Sequence, residues 1–138
     1  MARSKMEIQI HSDKIYLDEV ETFIRKFFET YHIQEKFFSK VLICVNEAVV
    51  NSVMHGNRFD AKKKVKIQSF TCHNYLYFRI IDEGEGFNYN DLPDPTDEKN
   101  LHSETGRGIY IIKNISDDIS FSEKGNIIEF KIKINAND

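Results

Sequence analysis

The residues best suited to chemistry fall in three short stretches. The first is Glu47, Asn51 and His55, spaced i, i+4, i+8. On a helix that spacing stacks side chains along one surface. A carboxylate and an amide oxygen on one stripe could act as base and as ligand for a hard cation. The same pair also suits a satisfied polar couple or a water-facing stripe, the commoner case for an arbitrary helix. His55 alone signals little. The second stretch is Asp82-Glu83-Gly84-Glu85-Gly86-Phe87, at the end of an apolar run. A strand would hold Asp82 rigidly while the glycines let backbone approach a ligand closely. An ordinary strand-to-loop turn reads the same way. It is not an EF-hand loop, because Gly84 stands where a ligand is required. The third is Thr105-Gly106-Arg107-Gly108-Ile109, just ahead of an apolar segment. Glycines at a helix start leave N–H groups free for phosphate. Arg107 could add a charge-assisted hydrogen bond. A hinge followed by a plain helix start is the alternative.

The glycines make this grouping notable. The chain has only six in 138 residues, below the average usage of roughly 7%. Five of them are Gly56, Gly84, Gly86, Gly106 and Gly108. A chain sparing with glycine places it where backbone geometry demands it. Several nucleotide signatures are absent. There is no Walker A lysine motif, no G-x-G-x-x-G fingerprint, and no H-R-D or D-F-G.

The elements that must position these residues follow from periodicity. Residues 6–10 alternate as a strand, and Ser12 or Asp13 is placed to cap a helix over about 14–31. A second helix runs from about Gln34 to Met54. At about 100° per residue, Phe38, Val41, Val45, Ala48, Val49 and Ser52 share its core face. Ile43, Val50 and Met54 form a second apolar set, which implies a largely buried helix. Strands follow at 65–71 and 75–82, the second apolar enough to be central in a sheet. A polar stretch with both prolines, about 88–105, is too long for an ordinary connection and reads as either a functional lid or a disordered segment. A short helix from about Gly108 to Ile115 precedes strands at 118–122 and 127–134, joined near Gly125. This order predicts an α/β (α+β) two-layer sandwich, with a mixed, mainly antiparallel sheet and helices on one face. One domain spans 1–138.

Composition narrows the class. Charged residues are 30% and apolar residues 41%, with a formal charge of −3. This suits a globular domain without direct nucleic-acid contact. The longest apolar run, Val41 to Val45, predicts no membrane span, and the N-terminal residues do not form a secretory signal. Cys44 and Cys72 lack C-x-x-C spacing and read as reduced thiols of a cytoplasmic protein.

Taken together and in order, E-x-x-x-N-x-x-x-H-G, D-x-G-x-G-F, a lid containing L-P-D-P, and G-R-G-I resemble the GHKL ATPases. Within that superfamily the chain is similar to the small anti-sigma-factor serine/threonine kinases, or switch-protein kinases. The resemblance covers nearly the whole chain. A sensor histidine kinase would add a dimerisation helix with a phosphoacceptor histidine, for which these residues leave no room.

The resemblance implies a Bergerat ATP-binding fold, ATP or ADP as ligand, and Mg²⁺. It implies Glu47 as general base, Asn51 as the Mg²⁺ ligand, and Asp82 as partner of the adenine amino group. Gly84 and Gly86 would line the base, and Gly106 and Gly108 the phosphates. Arg107 would approach the γ-phosphate. It further implies a homodimer that phosphorylates an anti-sigma-factor antagonist and binds a sigma factor. A nucleotide-gated binding module without kinase activity would share every binding residue. Many relatives carry a Thr after the late glycine; here Asn126 follows Gly125.

Overall fold

A computed structural model describes residues 4–12, 16–85, 104–122 and 124–134. Five strands and three helices follow one another as β1 (Ser4–His11), α1 (Tyr16–Thr30), α2 (Phe38–Asn51), β2 (Lys64–Cys72), β3 (Tyr75–Ile81), α3 (Glu104–Ile115), β4 (Asp118–Phe121) and β5 (Ile127–Lys133). A 3-10 turn, Glu35–Phe37, leads into α2, and a π-turn, Ser52–Gly56, extends it. The strands form one sheet in the order β1-β2-β3-β5-β4. Every pairing is antiparallel. The mixed pairing allowed by the sequence therefore does not occur among the described residues.

Strand alternation explains why the helices lie on one face. Val65 and Ile67, Leu76, Phe78 and Ile80, and Ile128, Phe130 and Ile132 are all buried. Their register aligns them: Ile8 faces Ile67, Ile67 faces Ile80, and Ile80 faces Ile128. Helix α1 packs on β1, α2 on β3, and α3 against α2 and β4. Strand β3 is central, but it is covered on one face only, since its alternate residues Tyr75, Tyr77, Arg79 and Ile81 stay half-buried. Phe27 and Phe28 are core residues. Phe78 stacks on Phe130 at 5.3 Å between centroids and meets Phe27 edge-on at 5.9 Å, arrangements that aromatic quadrupoles favour.

Helix α2 buries the predicted stripe of Phe38, Val41, Val45, Ala48, Val49 and Ser52. Its second apolar set behaves differently: Ile43 is 45% exposed, and Val50 and Met54 are half-buried. Length and composition alone would let Glu35–Gly56 cross a membrane. Its packing between the sheet, α1 and α3 explains that apolarity here. Two further expectations change. Ser12 does not cap α1, which begins at Tyr16; its buried hydroxyl accepts a hydrogen bond from Asn57 instead. Asp13 lies outside the described residues, as does the expected lid except for its last two positions. Those two belong to α3, which starts at Glu104 rather than Gly108.

Candidate functional site

Two clusters of the predicted residues sit at different points along α2. In the first, α3 crosses α2 so closely that a methyl group on Gly108 would lie 2.9 Å from Glu47 Oε2. The same methyl would lie 3.3 Å from Asn51 Nδ2. Gly108 is thus buried against Glu47 and Asn51, and its missing side chain lets α3 lie close to both. Glycine costs about 1 kcal/mol in a helix interior, and close helix contact is what it gains here. The phosphate reading of Gly108 therefore changes. A helix starting at Glu104 leaves only its first N–H groups without intrahelical partners, and Gly108 lies past them. Gly106 and Arg107 remain within that first turn, where an anion is favoured.

The electrostatics single out Glu47. Burial pushes its carboxyl above the ordinary carboxylate range, and the positive charge of Arg107 partly opposes this. Asn51 is almost fully buried, and its Nδ2 has no hydrogen-bond partner. A buried amide left unsatisfied costs about 1–3 kcal/mol, so this donor fits an acceptor such as a phosphate oxygen. Among the described residues no group of three or more His, Cys, Asp or Glu could hold a metal ion. A cation at Asn51 would take one amide oxygen from the chain and its other ligands from phosphate and water, a pattern that suits Mg²⁺.

In the second cluster, Asp82 is buried, one residue beyond β3. Burial raises its pKa, opposed first by the Gly84 N–H, which donates to Oδ1 at 2.8 Å. The Asp82 carboxylate rests against Gly56, where any side chain would overlap it, and Gly84 presses on the Gly56 carbonyl. In the sequence Gly56 is only the residue after His55. Its glycine is required by this contact rather than by a left-handed backbone. Gly86 lies outside the described residues.

Asn126 does reach Asp82, but through backbone. Its carbonyl accepts the Asp82 N–H at 3.0 Å, and its Nδ2 sits 3.4 Å from the Asp82 carbonyl. A cavity of about 320 Å³ adjoins this cluster, lined by His55, Gly56, Asn57, Arg58, Lys63 and Glu85, among others. A larger hollow of about 460 Å³ between β1 and α1 contains none of the motif residues.

Nine positions, ~13 Å at the rise of an α-helix, separate Glu47 from Gly56, with Asn51 between them. One end offers a carboxylate, an amide and a helix N-terminus; the other offers a buried acceptor beside bare backbone. The family model for the histidine kinase-like ATPase domain matches residues 10–132.

The chain belongs to that family.

Both clusters of this ATPase domain, and the helix between them, lie inside the matched region. Membership supports ATP binding, and the antiparallel α+β architecture agrees with it. No curated protein matches the chain at a significant level. Cys44 and Cys72 are free, and burial pushes the Cys44 thiol up to about 12, so it takes no part in polar chemistry.

Proposed function

We propose that this ATPase domain is an ATP-dependent serine/threonine protein kinase acting as an anti-sigma regulatory factor. It would phosphorylate a small anti-sigma-factor antagonist, bind a sigma factor and work as a homodimer. The observation that carries the reading is Glu47, half-buried with a raised pKa and set with Asn51 against the backbone of Gly108. A binding module needs the amide but has no use for a carboxylate held at a cost. A base is more effective as its pKa approaches the working pH.

In this reading the acceptor serine oxygen attacks the γ-phosphorus in line. The bond to the bridging oxygen breaks, ADP leaves, and the serine proton passes to Glu47. Asn51 Oδ1 would hold Mg²⁺, which would supply charge neutralisation on the phosphates. Arg107 lies close enough to influence Glu47 and stabilises charge on the transferred group. Asp82 accepts from the adenine amino group, and Gly84 lets the base lie against backbone.

Radiolabelled ATP, the protein and the serine-bearing antagonist encoded nearby test the reading directly. Wild type is expected to label the antagonist on serine, confirmed by mass spectrometry, and Glu47→Ala is not. Equal labelling by both proteins would remove Glu47 as the base. ATP binding without transfer to any antagonist would favour a nucleotide-gated module instead.

A further inference from the structure

We infer that Asn57 is a positioning residue that ties the base-reading loop to α2, and so sets discrimination between nucleobases. The inference rests on the reading of Asp82 as the adenine partner. Asn57 is buried at the point where four chain segments meet. Its Oδ1 accepts the Glu83 N–H at 2.8 Å. Its Nδ2 donates to Ser12 Oγ at 2.9 Å and to the Lys64 carbonyl at 3.0 Å. Its backbone N–H donates to the Ser52 carbonyl at 2.8 Å, and its own carbonyl accepts from the Asp60 N–H at 3.0 Å. Both amide hydrogens and the amide oxygen are in use. Only a primary amide of this length supplies two donors and an acceptor at once.

The placement matters more than the number of bonds. Gly56 touches the Asp82 carboxylate, and the next residue grips the next peptide, Glu83. Consecutive residues at the end of the π-turn thus hold consecutive residues of the loop. Glu83 adds a second tie, its Oε2 accepting the Lys64 N–H at 2.9 Å. Beyond Asn57 the chain turns back through Arg58 and Phe59, both left-handed with φ of 50° and 59°. Two such non-glycine residues are unfavourable, and the Phe59 N–H bond to the Val53 carbonyl at 2.8 Å helps hold them. Asn57 therefore links the end of the helix bearing Glu47 and Asn51 to the loop bearing Asp82. Releasing it would let the base reader shift while the phosphate end stays in place.

Mg-ATP and Mg-GTP affinities of wild type and Asn57→Ala, measured by calorimetry, test this. Wild type is expected to prefer ATP. Leaving buried partners unsatisfied costs enough to predict a loss of at least about tenfold in ATP affinity. GTP affinity should change by less than about threefold, so the ATP:GTP ratio collapses. An unchanged ratio, whether affinities hold or fall together, would overturn the positioning role. Wild type binding neither nucleotide would instead overturn the nucleotide reading itself. Should Asn57→Ala fail to fold by circular dichroism, Ser12→Ala removes a single partner of Nδ2. It is expected to lower the ATP:GTP ratio by about threefold, and an unchanged ratio there also refutes the inference.

Discussion

Replacing Gly108 by alanine separates function from folding. The new methyl would stand 2.9 Å from Glu47 Oε2 and 3.3 Å from Asn51 Nδ2. Ordinary contact begins near 3.4 Å, so the carboxylate must recede by roughly 0.5 Å. Glu47 is long and half-buried, so it can move without disturbing the core. Alanine also favours helix over glycine by about 1 kcal/mol. These effects oppose each other, and the melting temperature should move by no more than about 2 °C. Activity should not be spared. A 1 Å misplacement of a catalytic group costs about 10²-fold, so half that distance predicts a drop of about tenfold in phosphoryl transfer.

Gly125→Ala is the matched control. Gly125 has φ of 82° in the turn between β4 and β5, where a Cβ is strained whatever the space. It should lose about 1–2 kcal/mol of stability, or about 2–8 °C, with Mg-ATP affinity nearly unchanged. Thermal melts, calorimetry and radiolabel transfer on both variants complete the test. Equal losses of phosphoryl transfer at the two positions would refute the argument that Gly108 serves the site and Gly125 only the turn.

Three further outcomes follow from the same structure. Glu47→Gln should lower transfer by about 10²–10⁴-fold while leaving Mg-ATP affinity within about threefold. The wild-type rate should fall as acid protonates Glu47, with a midpoint above the ordinary glutamate value because burial raises it; a midpoint at or below that value contradicts the assignment. Asp82→Asn keeps an oxygen for the Gly84 N–H but removes a buried charge. Because the folded pKa of Asp82 is raised, its penalty appears as pH rises through that value. The variant should melt higher than wild type at pH 7.5, by an amount that shrinks on acidification, while its ATP affinity falls. Phe78→Ala should cost about 3–5 kcal/mol by chemical denaturation, since Phe78 is fully buried between Phe27 and Phe130.

What the sequence made legible is what short-range geometry determines. The helical period alone places Glu47 and Asn51 on one stripe. Strand alternation places Phe78 and Ile80 inward and brings Asp82 to the strand end. The order of elements is read correctly because each begins and ends on local signals. The errors share a cause. Gly108 looks like a helix start, since glycine disfavours a helix interior. Only contact with Glu47, 61 positions earlier, explains a helix that runs through it. Ser12 looks like a helix cap because serine caps helices, yet Asn57 claims its hydroxyl from 45 positions away. Asn57 itself gave no signal beyond following His55-Gly56.

The glycines show where such a reading reaches its limit. Glycine answers two different demands, a left-handed backbone or the absence of a side chain, and a sequence does not distinguish them. Gly125 meets the first. Gly56, Gly84 and Gly108 meet the second: none has a positive φ, and each lies where a Cβ would strike another part of the site. Those three contacts join α3 to α2 and the π-turn to the loop after β3. They hold the acid–amide pair in the C-terminal half of α2 and the buried aspartate against the π-turn that follows it. A ligand with a flat polar base at one end and phosphates at the other needs both ends fixed at a set separation. Under the proposed kinase reading, the close contacts at Gly56, Gly84 and Gly108, together with the Asn57 clamp, supply that separation.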